Sequence, residues 1–308
     1  MLSLILLSYY SEKRINIAFD KLSALFKSES IDFELIIIDD GSKDDSYKIA
    51  LELEKKNSNV HAYQLSRNYT SHYSIFAGLS ICNGACAMPI PDDEQQPYNT
   101  IVEMYRIWEN GGKIIIPFRE KRNDGIVTNS FSDIYYKIIN SLTEISFPRG
   151  GADTFFIDRE VIDIINGKIH PINTSSIIEV LRLGFSPVYY PYERVKGVNL
   201  KSRWTLKKKI RLFKDTFFSS STWPVRIITN LGIFFSIFAF SITLLYTYIR
   251  FFGNPRFWGY NLPGWTSTIV IVSFFSGLIL FSLGIIAEYI WRIYEEVKER
   301  PGYIIKKK

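Results

Sequence analysis

Pro91-Asp92-Asp93-Glu94-Gln95-Gln96-Pro97 follows directly on the apolar run Ala85 to Ile90, and the reading of this join decides the fold. The run reads as a short buried strand closed by prolines. Carboxylates and amides at the carboxyl end of such a strand face the crevice in which open α/β sheets bind ligands. Hard oxygen ligands there suit Mg²⁺ or Mn²⁺ holding a diphosphate. Taken alone, the heptad reads equally well as a solvated acidic turn, so the flanking chain has to decide.

Upstream, short apolar runs alternate with helical periodicity. Leu2 to Leu7 reads as a first strand, and Ser11 is placed to cap a helix reaching about Lys27 with Ile15, Phe19, Leu22 and Phe26 on one face. Phe33 to Ile38 is a β-branched strand closed by Asp39-Asp40-Gly41-Ser42, and Asp44 or Asp45 opens a helix through Glu54. Val60 to Leu65 is a third strand, followed after Ser66-Arg67-Asn68 by a helix over Ser71 to Ile81. Short turns between alternating strands and helices predict a parallel sheet covered on both faces. Polar groups then recur just past successive strands, and Glu12, Asp39, Asp40 and Asp93 converge on one sheet edge. Three such strand ends in order favour a nucleotide site. No G-x-G-x-x-G or Walker loop occurs, which argues against dinucleotide and ATP chemistry.

Of the 308 residues, 47% are hydrophobic and 16% aromatic, and the apolar excess falls after Trp223. The net charge is +6, with basic clusters at Lys196 to Arg226 and Lys298 to Lys308. Basic clusters beside apolar spans favour anionic lipid headgroups, and the absence of a recognition motif argues against nucleic acid. Cys82 and Cys86 lie near a core strand and are expected as buried free thiols in a reducing compartment. His61, His72 and His170 show no metal-ligand spacing. Leu2 to Leu7 is too short for a signal peptide core and has no basic residue before it.

At this point the motifs resemble one family. Ser8-Tyr9-Tyr10-Ser11-Glu12 is similar to P-x-Y-N-E, Asp39-Asp40-Gly41-Ser42 with Asp44 to D-D-G-S-x-D, and Leu65-Ser66-Arg67-Asn68 to L-S-R-N. The heptad lies where that family has D-x-D-L-Q-D-P. The chain thus resembles the inverting, nucleotide-sugar-dependent GT-A glycosyltransferases. Within them it looks most like the polyprenyl-phosphate sugar transferases, the relatives of dolichol-phosphate mannose synthase and bacterial undecaprenyl-phosphate glucosyl transferases. The resemblance implies a GT-A domain over residues 1–200, Rossmann-like with a mostly parallel sheet. It assigns Ser8, Tyr10, Glu12, Asp39, Asp40 and Arg67 to the nucleotide, and Asp93 and Gln95 to the metal and diphosphate. Pro91 replaces the first aspartate and offers no side-chain ligand. Asp92 fills the variable place and is the one residue there that could compensate, although its side chain alternates away if the strand continues.

Lys113 to Phe118 is a further strand, and Arg119 to Arg122 resembles the R-x-x-R that follows it in the family. Guanidinium forks match phosphate oxygens, so Arg119 and Arg122 are candidates for the acceptor phosphate. Gly125 to Thr143 reads as a long helix. Asp153 sits in the family's acceptor-side turn, where it orients the sugar or a basic residue, or merely caps a helix before Arg159; the family's arginine is replaced by Phe155.

Lys201-Ser202-Arg203-Trp204-Thr205 resembles the family's segment before a juxtamembrane helix, which adds Arg203 to the phosphate candidates. An amphipathic helix is expected over 201–223, on the membrane surface or docked on the domain. Ile227 to Ile249 and Trp265 to Ala287 carry no charge, and each is long enough, at roughly 34 Å, to cross a bilayer. Basic residues before the first span and after the second place both ends in the cytoplasm. The expected layout is therefore a two-helix hairpin over 224–290 and a basic tail over 291–308, and Glu288 to Pro301 resembles the family's E-Y-x-x-R-I-Y-E-E-V-K-x-R-P. The resemblance implies transfer of a sugar from a nucleotide diphosphate to polyprenyl phosphate, with Asp93, Arg119 and Asp153 at the reacting groups. The setting is the cytoplasmic face of the cell inner (plasma) membrane, with the chain multi-pass. A hydroxyl acceptor on a lipid-linked glycan and a non-catalytic scaffold stay open, as do a homo-oligomer and a flippase partner.

Overall fold

The first half of the chain folds as its periodicity dictates. In the computed structural model β1 (Leu2–Ser8), β2 (Phe33–Asp39), β3 (Val60–Gln64), β4 (Cys86–Pro91) and β5 (Ile114–Arg119) each lie within one residue of the expected runs. The structure describes residues 1–94, 96–119, 148, 152, 154–172, 174–193, 225, 227–235, 237, 238, 241 and 264–306. Two short strands complete the sheet, β6 (Phe156–Asp158) and β7 (Val188–Tyr192), in the order β3-β2-β1-β4-β6-β5-β7. Strands pair in parallel except at β6, which runs antiparallel to both β4 and β5. The result is a mixed, mostly parallel sheet.

Side chains alternate across β1 and β2 and so define two apolar layers. Ile5, Ile36 and Ile38 pack with Ile75 and Phe76 of α3 (Ser71–Leu79), Val161 and Ile165 of α5 (Arg159–Lys168), and Ile177 of α6 (Ser176–Arg182). Leu4, Leu6, Leu35 and Ile37 pack on the other side. Their partners are Leu22 and Phe26 of α1 (Ile15–Ser28), Ala50 of α2 (Ser46–Lys56) and Met104 of α4 (Asn99–Glu109). Each such large side chain removed from water contributes about 1.5–3 kcal/mol. Gly78 lets α3 approach β1 closely, since a Cβ there would lie 2.3 Å from a methyl of Ile5.

Two expected caps are corrected, and one further helix has no start signal. Ser11 does not cap α1: the helix starts at Ile15 with Arg14 at its N-cap, and the Ser11 hydroxyl turns to Asp92 instead. α4 carries no start signal in the sequence, because its N-cap Tyr98 makes no capping bond. The cap before Arg159 is Asp158, whose carboxylate accepts from the Glu160 N–H at 2.9 Å. The helix expected over 125–143 and the amphipathic helix over 201–223 lie outside the described residues, as do most of 236–250.

The chain divides into two compact units, Met1–Ser220 with Arg300–Lys308, and Ser221–Glu299. In the second, residues 227–235 are helical and α7 spans Gly264–Val297, 34 residues or about 51 Å at the usual rise. Rings of Phe235 and Phe275 stand 5.3 Å apart edge to face. Among the described residues one helical stretch, Phe274–Val297, is long and apolar enough to cross a membrane, and none of it is buried. α7 passes the expected end at Ala287 without a break, and Glu288 and Arg292 pair at 3.1 Å on its extension.

After α7 the chain rejoins the first unit. Ile305 bridges Leu65 in antiparallel fashion beside β3, the Ser66 N–H donates to the Ile304 carbonyl at 2.8 Å, and the Lys306 N–H donates to the Gln64 carbonyl at 2.8 Å. Tyr303 and Ile305 pack on the α3 side of the core. This short tail covers what is otherwise the open edge of the sheet at β3.

Candidate active site

Strand register sets a row of polar groups along the carboxyl edge. Gln64 of β3 stands beside Asp39 of β2, Asp39 beside Ser8 of β1, and Leu7 beside Pro91 of β4. Asp39 is fully buried. Its carboxylate accepts from the Ser42 N–H at 3.0 Å, from the Ser42 hydroxyl, and from Gln64 Nε2 at 2.9 Å. A buried charge needs such partners, and three donors supply them. The neighbouring Ser8 hydroxyl is buried and has no hydrogen-bond partner among the described residues.

Asp40 has a different task. It is 5% exposed and accepts from the successive N–H groups of Tyr69 (2.7 Å) and Thr70 (2.9 Å) at the start of α3. Thr70 sits at φ 89°, a strained conformation for a β-branched residue, and the Asp40 carboxylate holds it there. Gly41, at φ 70°, lets the backbone of Arg67 come within 2.6 Å of where a Cβ would stand. Arg67 is exposed and lies over the Tyr69 ring at 4.4 Å.

The turn after β1 is tied to the turn after β2. The Tyr10 N–H donates to Ser42 Oγ at 3.0 Å and the Ser11 N–H to Ser46 Oγ at 2.7 Å. Tyr10 adopts φ 51° and is 44% exposed above the edge. Glu12 is half-buried and makes no hydrogen bond or ion pair among the described residues.

At the end of β4 the two aspartates diverge. Asp92 is buried against α1, where its carboxylate accepts from Ser11 and pairs with Arg14 at 2.7 Å. Asp92 is therefore held by α1 and does not replace the side chain missing at Pro91. Asp93 is half-buried, and Glu94, at φ 50°, pairs with Lys21 at 2.5 Å. Below them Tyr98 is pushed above its ordinary phenol value by burial, and further by the charges of Glu94, Asp92 and Asp93. Arg119 ends β5 and donates from Nε to the Tyr192 hydroxyl at 3.3 Å. Thr154, whose hydroxyl donates to the Pro89 carbonyl at 2.6 Å, seats the incoming β6 between them. Phe155, at the family's arginine position, is fully buried in the core and has no access to a ligand.

Asp39, Ser8 and Tyr10 thus share one edge with Glu12 and Asp93, while Arg67 lies on the loop after β3. Gln95, Arg122, Asp153 and Arg203 lie outside the described residues. Sequence reasoning missed Gln64, Ser42 and Arg14, the residues that hold the carboxylates. Only Ser42 carried a signal, as the last residue of the Asp39-Asp40-Gly41-Ser42 turn. Among the described residues no three carboxylate, histidine or thiol groups gather as a metal cage. A divalent ion of the Mg²⁺ type takes one or two protein carboxylates and completes its shell with substrate phosphates, and Asp93 fits that role.

A mostly parallel α/β sheet with polar groups gathered at its carboxyl edge is the GT-A-like arrangement. The chain belongs to glycosyl transferase family 2, whose model matches residues 3–165. It is 30% identical over 306 residues to the putative glycosyltransferase CsbB of Bacillus subtilis (strain 168), covering 99% of this chain and 91% of that protein. It is 30% identical over 318 residues to the SfII prophage-derived bactoprenol glucosyl transferase of Shigella flexneri, covering 99% and 97%. Among solved structures, glucosyl-3-phosphoglycerate synthase from Mycobacterium tuberculosis, in complex with Mn²⁺, UDP-glucose and phosphoglyceric acid, is 16% identical. That match has a TM-score of 0.45 over 70% of this chain and 76% of that one.

Proposed function

We propose that this enzyme moves a sugar from a nucleoside-diphosphate sugar to the phosphate of a polyprenyl lipid at the cytoplasmic face of the membrane. The observation that carries the reading is the reach of the match to the SfII bactoprenol glucosyl transferase, which extends over 99% of this chain, apolar helix and tail included. A match confined to the α/β domain would support sugar transfer without a lipid acceptor.

The transfer forms a bond from an acceptor phosphate oxygen to the anomeric carbon and breaks the bond to the diphosphate, which leaves with its electron pair. A phosphate monoester is already anionic near neutrality, so the acceptor needs no general base. The protein's work is alignment of two anions and neutralisation of the leaving group. Asp39 would contact the base and ribose together with Tyr10, Glu12 and the Ser8 hydroxyl, which has no partner among the described residues, and Asp40 and Arg67 would shape the loops around them. Asp93, with Gln95, would hold a divalent ion that offsets the diphosphate charge. Arg119, Arg122 and Arg203 would receive the acceptor phosphate, and Asp153 would orient the sugar. Inversion at the anomeric carbon is the outcome expected of an in-line displacement.

Two membrane crossings, 227–249 and 265–287 with the extension of α7, complete the reading. Parity supports it: Met1–Ser220 and Arg300–Lys308 share one compact unit, so the apolar segment between them leaves and returns to the same side. Basic residues flanking both spans make that side the cytoplasm.

The test is radiolabelled sugar transfer by membranes carrying the full chain, with polyprenyl phosphate and a panel of nucleotide sugars, with and without Mn²⁺. An acid-labile, organic-extractable product from one donor is expected, and Asp93→Ala should lower its rate roughly a hundredfold or more. Binding of a nucleotide without product from any donor would favour the scaffold reading, and label in a lipid-linked glycan the hydroxyl acceptor.

A further inference from the structure

The tail touches the nucleotide edge through a chain of named atoms. Lys306 Nζ donates to Gln64 Oε1 at 2.9 Å, and Gln64 Nε2 donates to Asp39 Oδ2 at 2.9 Å. An ammonium on one side and a carboxylate on the other leave the amide a single orientation in which donors meet acceptors at both ends. The main chain makes the same connection, since the Lys306 N–H donates to the Gln64 carbonyl and the Leu65 N–H to the Asp39 carbonyl, each at 2.8 Å. Lys306 therefore grips Gln64 by backbone and side chain together. Asp39 in turn accepts from Ser42, whose hydroxyl oxygen receives the Tyr10 N–H. The relay runs from the tail to the residues placed at the donor's base.

We propose that Lys306 is a positioning residue for the nucleotide donor, acting through Gln64 to fix the carboxylate of Asp39. The proposal rests on the reading that Asp39 contacts the donor. Without the ammonium, Asp39 alone holds the Gln64 amide, whose other end is then free, so the side chain moves more widely and fixes the carboxylate less firmly. Lys306 is exposed, so solvent screens it, and the effect belongs to geometry rather than to long-range charge. Donor affinity depends on this link, whereas the chemical step, at Asp93 and the arginines, does not.

The full chain in detergent, titrated with UDP, GDP and dTDP, tests this directly. Lys306→Met keeps the apolar stem and removes the donor; it should weaken the nucleoside diphosphate that the wild type binds by about fivefold, the worth of one hydrogen bond. Lys306→Arg should restore affinity to within about twofold, because a cationic donor returns. Tyr303→Phe removes a tail anchor, the 3.4 Å bond to the Phe76 carbonyl, without touching the relay, and should bind as the wild type does. In transfer assays Lys306→Met should raise the donor KM and leave kcat within about twofold. Wild-type affinity in Lys306→Met, or an equal loss in Tyr303→Phe, would overturn the relay while leaving the donor reading intact. A wild type that binds none of the three nucleotides would overturn the donor reading itself, and the relay with it.

Discussion

β2 carries a buried carboxylate at each end, and the two are held in different ways. Glu34, at the amino end, accepts from the Ser3 hydroxyl at 2.5 Å and from the N–H groups of Asn83 (2.6 Å) and Gly84 (3.1 Å). It ties β1 to the turn before β4, and the half-exposed His61 ring stands 3.9 Å from its second oxygen. Asp39, at the carboxyl end, is held by the Ser42 N–H and hydroxyl and by the Gln64 side chain, beside a Ser8 hydroxyl without a partner among the described residues and an exposed tyrosine. Burial and hydrogen bonding are alike at the two ends. The surroundings differ, since crevices of α/β sheets form outside the carboxyl ends of their strands. A buried carboxylate marks a site only where the chain around it has been left open.

The contrast can be broken in three ways. Glu34→Ala leaves the buried Ser3 hydroxyl without its acceptor and the Asn83 N–H without its partner, while the Gly84 N–H keeps Ser3 Oγ at 2.7 Å, and should cost about 2 kcal/mol of stability. Thermal unfolding of the full chain would show the drop, and nucleotide affinity of the folded fraction should be unchanged. Asp39→Ala should do the reverse, weakening nucleotide binding by about tenfold to thirtyfold in titration while lowering the unfolding temperature less than Glu34→Ala does. If the two variants proved alike in both measurements, the two ends of β2 would have the same role. The smallest effect concerns the thiols under the same strands. Burial pushes Cys86 up from 9.0 to about 12, and raises Cys82 as well. A folded value above the unfolded one means that the unfolded chain releases its proton first as pH rises. The contribution is intact below pH 9 and is lost progressively towards 12, at most about 1.4 kcal/mol per pH unit. Unfolding compared at pH 8 and pH 10 should show a loss that Cys86→Ala, after correction for its own packing cost, no longer shows.

Much of this was legible in the sequence because parallel strands are apolar on both faces. β1, β2 and β4 read as largely apolar runs, and the polar residues at or just past their ends gave the site its edge. Lateral relations were not legible. Nothing in Val60 to Leu65 says that Gln64 stands beside Asp39, since register is set by packing and crossover geometry rather than by local pattern. α4 was missed for want of a cap, and β6 because three residues are too few to show a period. Asp92 was expected to turn away from the diphosphate, but its partner Arg14 lies 78 positions earlier, beyond any local signal. The bridge between Leu65 and Ile305 is more distant still.

That bridge also sets an order in time. Ribosomes release Arg300–Lys306 only after Gly264–Val297, so the α/β domain emerges with β3 as a bare edge and with Gln64 held on one side alone. A bare strand edge is a template for pairing with another chain during synthesis. Its own partner segment arrives only after α7 has been made. A nascent chain stalled or cut before residue 300 would thus carry a folded sugar-nucleotide domain whose sheet remains uncapped.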